Sequence, residues 1–477
     1  MVTPNNLSEI KEKISKIGQE HIFDFYFELS EEEQEAFLRQ IQSIDFDEFK
    51  AQVDRLVTSN EKEVEFNWDN LKPADYIPLP ENGGDPLLWD KAKATGEMVI
   101  KEGRVAAFTV AGGQGTRLGY DGPKGTFSVT SHSDKSLFEV FANKITRASE
   151  RYGVLIPWFI MTSEINHQET IEAFEANKYF GMPKESLFFF SQALFPAVDL
   201  DGKMLLGEKG QLVMTPNGHG GSLRALVESG AIEKMGSEGI DVLSYFQVDN
   251  PLVPCIDPAF IGFHVLNQSE LSSKMIPKAY PLEKVGMFCN YEGQNLVIEY
   301  SDMPFAMQEL SDEEGDILFR SGSVAIHLFD RDFIERVGSP SSEDKLPYHK
   351  ALKRIPFINK SGGEELPKNP NGIKFEMFVF DALSKAKNPV IIEGLRNDNF
   401  SPLKNAKGVD SPETCRNDQL KQAIRWLSAA GIDLEGNGSK DFTFEINYRF
   451  AMDKDDFINQ WNSLDDKPTI ESGTIIE

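Results

Sequence analysis

The chain has 477 residues, of which 40% are hydrophobic and 26% charged, a composition typical of a folded protein with a large core. Its net charge of −27 argues against nonspecific binding to nucleic acid or to an anionic membrane, because such partners need a basic surface. It has no apolar run of membrane-spanning length and no signal-peptide pattern at the start. Three widely spaced cysteines are typical of reduced thiols, so we expect a cytoplasmic protein.

Residues 1–95 are predicted to form a helical N-terminal domain and its linker. Apolar residues recur at helical spacing from Leu7 to Ile17, and a Ser-x-x-Glu capping box at Ser30 opens another helix. Proline and glycine cluster in residues 72–86, which indicates a linker. We expect these helices to cover the surface of the main body, a structural role.

Residues 96–404 are predicted to form the main α/β domain. Short apolar runs alternate there with helical stretches, at 105–110, 156–161, 186–190, 242–248, 322–329 and 389–392. This alternation predicts a central doubly wound, largely parallel mixed sheet of Rossmann-like type, with ligands beyond the carboxyl ends of the strands. Alternating apolar residues between 441 and 450 predict a small β-rich C-terminal domain, residues 405–477.

The segment Val110–Gly125 contains six glycines together with one arginine and one lysine. It lies between a predicted strand and a predicted helix. Glycine lets backbone N–H groups approach a polyanion, and the two cations supply the charge that glycine lacks. A glycine cluster alone is equally typical of a turn, but this combination predicts a phosphate-binding loop.

Two common phosphate binders are not supported. A P-loop needs Gly-Lys-Ser/Thr, whereas Pro123 precedes Lys124 here. A dinucleotide fingerprint needs a third glycine where this chain has Leu118.

The stretch Ala111–Gly119, followed by Pro123 and Lys124, resembles the signature G-G-x-G-T-R-L…P-K of the nucleotidyltransferases that make sugar nucleotides. It is most similar to the eukaryotic-type UDP-N-acetylglucosamine pyrophosphorylases, which have leucine at the position of Val110. UDP-glucose pyrophosphorylases usually have N-G-G-L-G-T-S-M-G, and this difference favours the acetylated sugar. The resemblance covers roughly residues 95–415 and, more weakly, both ends.

The resemblance implies a uridylyltransferase that joins UTP and N-acetylglucosamine 1-phosphate, giving UDP-N-acetylglucosamine and pyrophosphate. The attacking phosphate oxygen is already ionised, so catalysis needs alignment and charge stabilisation rather than a general base. We expect Mg²⁺ (or Mn²⁺) as cofactor and a monomer or weak oligomer. Nucleic acid and membranes are not expected as partners.

Asp249 follows the apolar run 242–248, where a carboxylate could hold a metal ion that bridges phosphates. Asp249-Asn250-Pro251 is also a typical turn sequence. The family's V-D-N pattern, with the aspartate near phosphate and metal, favours the metal ligand.

A second glycine-rich loop, Met214–Gly221, resembles the family's P-D-G-N-G-G loop beside nucleotide and sugar. Asn217 replaces the aspartate and His219 the asparagine. A neutral imidazole can still donate a hydrogen bond to a sugar hydroxyl, but its tautomer is open at this point. A structural histidine is the alternative.

By this resemblance the catalytic residues are Arg117, Lys124 and Lys404. The nucleotide-binding residues are Ala111, Gly112, Gly113, Gly115, Thr116, Gln192, Gly218, Asp249 and Lys374, with Gln192 reading the uracil. The sugar-binding residues are His219, Glu283, Gly286, Gly322, Ser323, Phe378, Phe380 and Lys404, and the metal ligand is Asp249.

Some of these positions have plain structural alternatives. Phe378 and Phe380 are aromatic residues two positions apart, which are more often plain core, and the segment around Glu283 could be a surface turn. Ser323 stands where the family commonly has asparagine.

Three other functions stay open. The same chemistry could act on glucose or N-acetylgalactosamine 1-phosphate, or the chain could bind nucleotide sugars without transfer. A nicotinamide-dependent oxidoreductase is a weaker alternative.

Overall fold

The structure is a computed structural model that describes residues 4–59, 66–432, 434 and 442–477. The chain divides into two compact units. The smaller comprises Met1–Asn67, Gln192–Gly221 and Leu346–Val379, and the larger comprises Trp68–Ser191, Ser222–Lys345 and Phe380–Glu477. None of the helices in the described part of the chain has both the length and the apolar character that crossing a membrane requires.

The α-helices of the described residues are α1 Pro4–Lys16, α2 Glu31–Gln42, α3 Phe46–Val53, α4 Pro86–Lys101, α5 Leu137–Tyr152, α6 His167–Ala176, α7 Gly221–Glu228, α8 Ala231–Ser237, α9 Pro258–Leu266, α10 Phe305–Gln308, α11 Arg331–Gly338, α12 Arg396–Asn399, α13 Pro412–Ala429 and α14 Lys454–Ser463.

The strands of the described residues are β1 Leu71–Pro73, β2 Val105–Val110, β3 Trp158–Thr162, β4 Leu187–Ser191, β5 Leu194–Pro196, β6 Val198–Asp199, β7 Leu206–Glu208, β8 Gln211–Leu212, β9 Met214–Pro216, β10 Val242–Gln247, β11 Leu271–Pro277, β12 Gly286–Tyr291, β13 Gln294–Ile298, β14 Ser321–Asp330, β15 Tyr348–Lys353, β16 Phe357–Ile358, β17 Glu364–Glu365, β18 Gly372–Met377, β19 Val390–Glu393, β20 Glu445–Ile446 and β21 Ile475–Ile476.

The larger unit contains a ten-stranded mixed sheet with the main order β1-β12-β14-β10-β2-β3-β4; β13 pairs with β12, and β11 and β19 extend from β14. Strands β10, β2, β3 and β4 are parallel to one another, as are β11 and β19, whereas β14 is antiparallel to β10, β11 and β12. The carboxyl ends of β2, β3, β10, β11 and β19 therefore lie at one edge, together with the start of β14. We call this the carboxyl edge.

The central strands are buried on both faces. Successive side chains of a strand point to opposite faces, and all of those in β3 and nearly all in β2 and β10 are buried. Continuous apolar runs are typical of such strands, which explains why the sequence predicts them to within a few residues. The predicted α/β class is confirmed.

The C-terminal segment differs from its prediction. Its described residues form α13, α14 and the short pair β20–β21, and Asp441, where the alternating pattern starts, lies outside the described residues. Phe444, Tyr448 and Phe450 are buried, but so are Glu445 and Asn447, and the apolar residues pack in the same core as Trp426 of α13 and the central sheet. The burial of successive residues thus reflects packing in a core that includes a helix, and the strand pairing among the described residues of this segment is limited to β20–β21.

The smaller unit combines α1–α3 with the antiparallel sheet β15-β18-β6 and three two-stranded pairs. The predicted capping box is present, since the Ser30 side chain accepts from the Glu33 N–H and the Glu33 side chain accepts from the Ser30 N–H. The three-part division predicted at 95 and 404 differs from these units. The difference arises because residues 192–221 and 346–379 are distant in sequence from the helices that share their unit.

The predicted linker at 72–86 is only partly irregular. Its first residues belong to β1, which pairs with β12, and Ile77 bridges to Ile392. Proline is compatible with this edge position because β1 is the end strand of the main sheet path.

Candidate active site

The glycine-rich loop begins where β2 ends at the carboxyl edge. Its backbone folds back on itself: the Gly115 N–H donates to the Gly122 carbonyl over 2.9 Å, and the Lys124 N–H donates to the Gly113 carbonyl over 3.0 Å. A side chain at Gly115 would come within 2.6 Å of the Tyr120 ring, so this position requires glycine. The loop is a compact turn with an exposed rim that includes Gly113 and Thr116.

Arg117 extends from this rim into solvent. Its side chain is exposed, and it makes no hydrogen bond or ion pair with the residues that the structure describes. The guanidinium is therefore free to bind an external anion in the unliganded protein.

Asn166, which was not identified from the sequence, anchors the loop to the segment after β3. It follows β3 and is fully buried. Its Nδ2 donates to the carbonyls of Ala111 (2.9 Å) and Gly113 (3.3 Å), and its Oδ1 accepts from the Ser163 N–H (2.8 Å) and hydroxyl (3.0 Å). All four hydrogen-bonding positions of this amide are used, which fixes the loop against the neighbouring strand. Its position after a strand at the carboxyl edge is the signal that would have found it.

Lys124 and Asp249 meet at the carboxyl edge. Gln247 of β10 pairs with Val110 of β2, so the residues that follow these two strands are neighbours. Lys124 Nζ lies 3.7 Å from Asp249 Oδ2, and their side chains are only 10% and 16% exposed. The turn expected at Asp249-Asn250-Pro251 is also present, because the Val253 N–H donates to the Asn250 carbonyl.

The segment that carries Lys404 is attached to the same strand end. The Leu403 N–H donates to the Asp249 carbonyl over 2.7 Å, and the Lys404 N–H donates to the Asp410 carbonyl over 2.7 Å. Lys404 Nζ lies 6.0 Å from the centre of the Phe400 ring. Burial raises the pKa of Asp410, an effect that the positive charge of Lys404 opposes.

Asn250 joins this segment to β10. The sequence identified it only as a turn-forming residue. It is 4% exposed. Its Nδ2 donates to the Asn399 carbonyl (2.7 Å), and its Oδ1 accepts from the Ser401 N–H (3.0 Å).

The segment around Glu283 is a turn, closed by a hydrogen bond from the Glu283 N–H to the Tyr280 carbonyl and with Tyr280 and Leu282 exposed, but Glu283 itself is buried. Arg396 pairs with it through both terminal nitrogens, and the Ala279 N–H donates to its Oε2 over 2.7 Å. Its carboxylate is therefore fixed by the protein. Arg396, just after β19, was not identified from the sequence.

The remaining predicted residues of the larger unit lie nearby in the sheet. Gly286 pairs with Ser323, and Gly322 and Ser323 at the start of β14 pair with Ile276 and Met275 of β11. This places them at the carboxyl edge.

Gln192 and the second glycine loop come together within the smaller unit. Gln192 is buried, and its Nε2 donates to Asn217 Oδ1 and to the Gly218 carbonyl, both over 3.1 Å. Its amide nitrogen is thereby committed to the protein, whereas Oε1 accepts no hydrogen bond from the described residues. That oxygen can accept from an imide N–H.

Gly218 has a φ of +83°, and a side chain there would meet the Met377 carbonyl oxygen at 2.4 Å. The loop is tied to β18 by hydrogen bonds from the Met377 N–H to the Asn217 carbonyl and from the Gly220 N–H to the Met377 carbonyl, each 2.8 Å long. Glycine at 218 is required by both its backbone angle and this close approach.

The structure fixes the tautomer of His219. The Val379 N–H donates to Nδ1 over 3.2 Å, so the proton of the neutral ring lies on Nε2. Burial lowers the pKa of His219 to about 4. The neutral ring is therefore a hydrogen-bond donor at physiological pH.

Phe378 lies between two imidazoles, with its ring centre 5.6 Å from His219 and 4.9 Å from His349. Both Phe378 and Phe380 are partly exposed, so neither is a plain core residue. Lys374 lies on β18 opposite Ala351 and has no ion-pair partner in the described part of the chain.

Across the described residues, no three His, Cys, Asp or Glu side chains cluster in a way that could hold a metal ion. Mg²⁺ is commonly held by only one or two carboxylates together with substrate phosphates. Asp249, a single carboxylate at the carboxyl edge, fits that kind of site.

Residues 46–409 match the family model described as UTP–glucose-1-phosphate uridylyltransferase. The chain is 36% identical over 447 residues to UDP-N-acetylhexosamine pyrophosphorylase-like protein 1 of Xenopus tropicalis, covering 90% of this chain and 87% of that protein. It is 33% identical over 461 residues to the UDP-N-acetylglucosamine pyrophosphorylase of Saccharomyces cerevisiae, covering 93% and 95%.

Among solved structures, the Trypanosoma brucei uridine diphosphate N-acetylglucosamine pyrophosphorylase in complex with inhibitor matches with a TM-score of 0.82 and 25% identity, covering 100% of this chain and 99% of that one. The family match extends over most of the chain and includes the glycine-rich loop, Asp249 and Lys404. The chain therefore belongs to the UTP–glucose-1-phosphate uridylyltransferase family.

Proposed function

We propose that this protein is a uridylyltransferase that joins UTP and N-acetylglucosamine 1-phosphate to form UDP-N-acetylglucosamine and pyrophosphate. The observation that carries the proposal is the Lys124–Asp249 pair beneath the glycine-rich loop, in a chain of this family. Relatives named for N-acetylglucosamine or N-acetylhexosamine, similar over nearly the whole chain, support the acetylated sugar.

The reaction forms one P–O bond and breaks another. An anionic oxygen of the sugar 1-phosphate attacks the α-phosphorus of UTP, and the bond to the bridging oxygen breaks as pyrophosphate leaves with its electron pair. Repulsion between anions is the main obstacle, so the protein must supply positive charge and alignment. Arg117, Lys124 and Lys404 take that role, and Lys374 also binds phosphate.

Each unit has its own glycine-rich loop with predicted nucleotide-binding residues. The amides of Ala111, Gly112, Gly113, Gly115 and Thr116 line the first loop, and Gly218 leaves room in the second. Oε1 of Gln192 accepts from the uracil N3–H, because its Nε2 is already bonded to the protein.

Mg²⁺, or Mn²⁺ in its place, is part of the proposal, with Asp249 as its protein ligand. When bound, the metal ion would neutralise phosphate charge. Lys124 neutralises the Asp249 carboxylate without metal and, once that carboxylate is engaged, can donate to phosphate.

The predicted sugar-binding residues include a hydrogen-bond donor in the smaller unit and a carboxylate in the larger unit. His219 Nε2–H donates to a hydroxyl, and Glu283 accepts from sugar hydroxyls on the lone pairs that Arg396 leaves. Gly286, Gly322 and Ser323 line the carboxyl edge, and Phe378 and Phe380 contact the acetamido group. Glucose 1-phosphate is the second candidate substrate, because the matching family model carries its name.

A cytoplasmic location is also proposed. All three cysteines are unpaired and buried, as expected for a reducing compartment.

The test is pyrophosphate release from UTP and Mg²⁺ with N-acetylglucosamine, N-acetylgalactosamine and glucose 1-phosphates. We expect the highest kcat/KM with N-acetylglucosamine 1-phosphate. A higher kcat/KM with glucose 1-phosphate would make that sugar phosphate the substrate instead. Uridine-nucleotide binding without any release would favour a non-catalytic binding protein, and binding of NAD(H) instead would favour the oxidoreductase.

A further inference from the structure

We propose that Asn250 is a positioning residue that keeps Lys404 in register with Asp249 during transfer. The inference rests on the proposed function and deepens it, since Asn250 itself does not touch the reacting groups. It acts through the backbone of residues 399–403.

The carboxamide of Asn250 holds this backbone at two points. Nδ2 donates to the carbonyl of Asn399 and Oδ1 accepts from the N–H of Ser401, so the two ends of one amide flank Phe400. An amide that is buried and bonded at both ends leaves little freedom to the chain it holds. The ring of Phe400, fixed between these points, lies next to Lys404 Nζ.

A third bond comes from the same turn. The Leu403 N–H donates to the carbonyl of Asp249, one residue before Asn250. Asp249, which has the carboxylate, and Asn250, which has the carboxamide, are thus adjacent, and both bind the segment 399–403 that precedes Lys404. The position of Lys404 is therefore set from the end of β10.

The position of Lys404 must be restricted because several carboxylates lie near it. It interacts electrostatically with Asp410 and Glu299, and Asp410 also interacts with Asp249 and Glu283. A lysine with a flexible stem could pair with any nearby carboxylate instead of facing phosphate. Fixing its backbone limits which of them it can reach.

Only a carboxamide of this length satisfies both partners. Leucine has the same arrangement of side-chain heavy atoms but neither donor nor acceptor. Aspartate keeps an acceptor for the Ser401 N–H but places a second oxygen against the Asn399 carbonyl. Asn250→Leu and Asn250→Asp therefore remove both bonds and one bond, respectively.

Asn143→Leu is the matched control. Asn143 is also a buried asparagine of the larger unit, 8% exposed, and its Nδ2 donates to Asn447 Oδ1 over 3.3 Å. Its loss should lower stability without affecting the segment before Lys404.

Two readouts test the proposal. Amide hydrogen exchange of residues 399–404 should accelerate in Asn250→Leu and stay unchanged in Asn143→Leu. In pyrophosphate release, kcat of Asn250→Leu should fall by about 100-fold with little change in the KM for UTP, because misplacement by about 1 Å costs that much. The kcat of Asn250→Asp should lie between those of Asn250→Leu and wild type. If Asn250→Leu does not fold, the same two measurements on Asn250→Asp test the proposal.

Unchanged exchange in the 399–404 segment, or equal losses of kcat in Asn250→Leu and Asn143→Leu, would overturn the proposal. If wild-type protein released no pyrophosphate with any sugar phosphate, the proposed function would fail, whereas the exchange experiment would still report on the role of Asn250.

Discussion

Lys124 Nζ lies 3.7 Å from Asp249 Oδ2, with both side chains largely buried at the carboxyl edge. Each group lowers the free-energy cost of burying the other. In a metal–triphosphate substrate, the Lys124 charge complements the phosphates and the Asp249 charge complements the metal ion. The pair therefore connects the stability of the empty site with its use during catalysis.

Asp249→Asn should raise the Mg²⁺ concentration needed for half-maximal turnover by about tenfold or more, because one charged ligand is replaced by a neutral one. The measurement is initial rate against free Mg²⁺ in a chelator-buffered titration. Asp466→Asn, at an exposed carboxylate, is the control. An unchanged Mg²⁺ dependence in Asp249→Asn would remove this residue as the metal ligand.

Arg117→Ala should lower kcat by about a thousandfold or more while leaving the melting temperature unchanged, since Arg117 is exposed and makes no ion pair with the described residues. Steady-state rates and a thermal melt measure the two quantities. Arg39→Ala, at another exposed arginine, should leave both near wild type. Near-normal turnover in Arg117→Ala would refute its assigned role.

His219→Leu should raise the KM for the sugar 1-phosphate by about tenfold through loss of one hydrogen bond, with little change in the KM for UTP. Because burial lowers the pKa of His219 to about 4, its ring stays neutral above about pH 5. Rates of wild type and His219→Leu should therefore keep a constant ratio between about pH 5.5 and 8. A ratio that changes near pH 6.5 would contradict the neutral-donor assignment.

His264 should make the stability of the folded protein depend on pH in the acidic range. Burial lowers its pKa to about 3, and its Nδ1 lies 2.8 Å from the Ser272 hydroxyl. In the unfolded chain His264 binds a proton below about pH 6.5, whereas in the folded chain its ring stays neutral. The free energy of unfolding therefore falls as pH drops below about 6.5, by about 1.4 kcal/mol per pH unit.

Urea unfolding of wild type and His264→Asn near neutral pH and at about pH 5 measures this contribution, because the difference between the two proteins removes the other titrating groups. NMR of the imidazole Cε1–H should show no titration in folded wild type above about pH 5. Titration with an ordinary histidine pKa would contradict the expectation.

Gly218→Ala should destabilise the protein by about 1 kcal/mol or more, because both its positive φ and the Met377 carbonyl oppose a side chain. Gly239→Ala is the matched control, since Gly239 has a φ of +75° with nothing within 4 Å of an added Cβ. The excess loss in Gly218→Ala, measured by urea unfolding, reports the contact with Met377. Equal losses would show that only backbone strain matters.

The sequence was sufficient for the central strands and for the residues that follow them. Buried parallel strands leave continuous apolar runs, and the rule that ligands bind beyond strand ends led to Asp249. The loop 110–125 was identifiable because its glycines and cations are contiguous in the chain.

Other features depend on contacts between distant residues. Asn166 and Asn250 act through carbonyls that only folding brings near, and an asparagine in a turn has no local sign of that use. The alternating residues near 450 pack against a helix, although their pattern is that of a strand. The tautomer of His219 depends on one N–H at Val379, 160 positions away.

The interleaving of the two units has a consequence for biosynthesis. The smaller unit takes its three pieces from the beginning, the middle and the later part of the chain, so a ribosome must extend past Val379 before its last piece is present. The larger unit also needs α13 and α14, which contribute to its core and follow the last piece of the smaller unit in the chain. Neither unit can therefore complete its core until most of these segments have been synthesised, which favours folding late in translation.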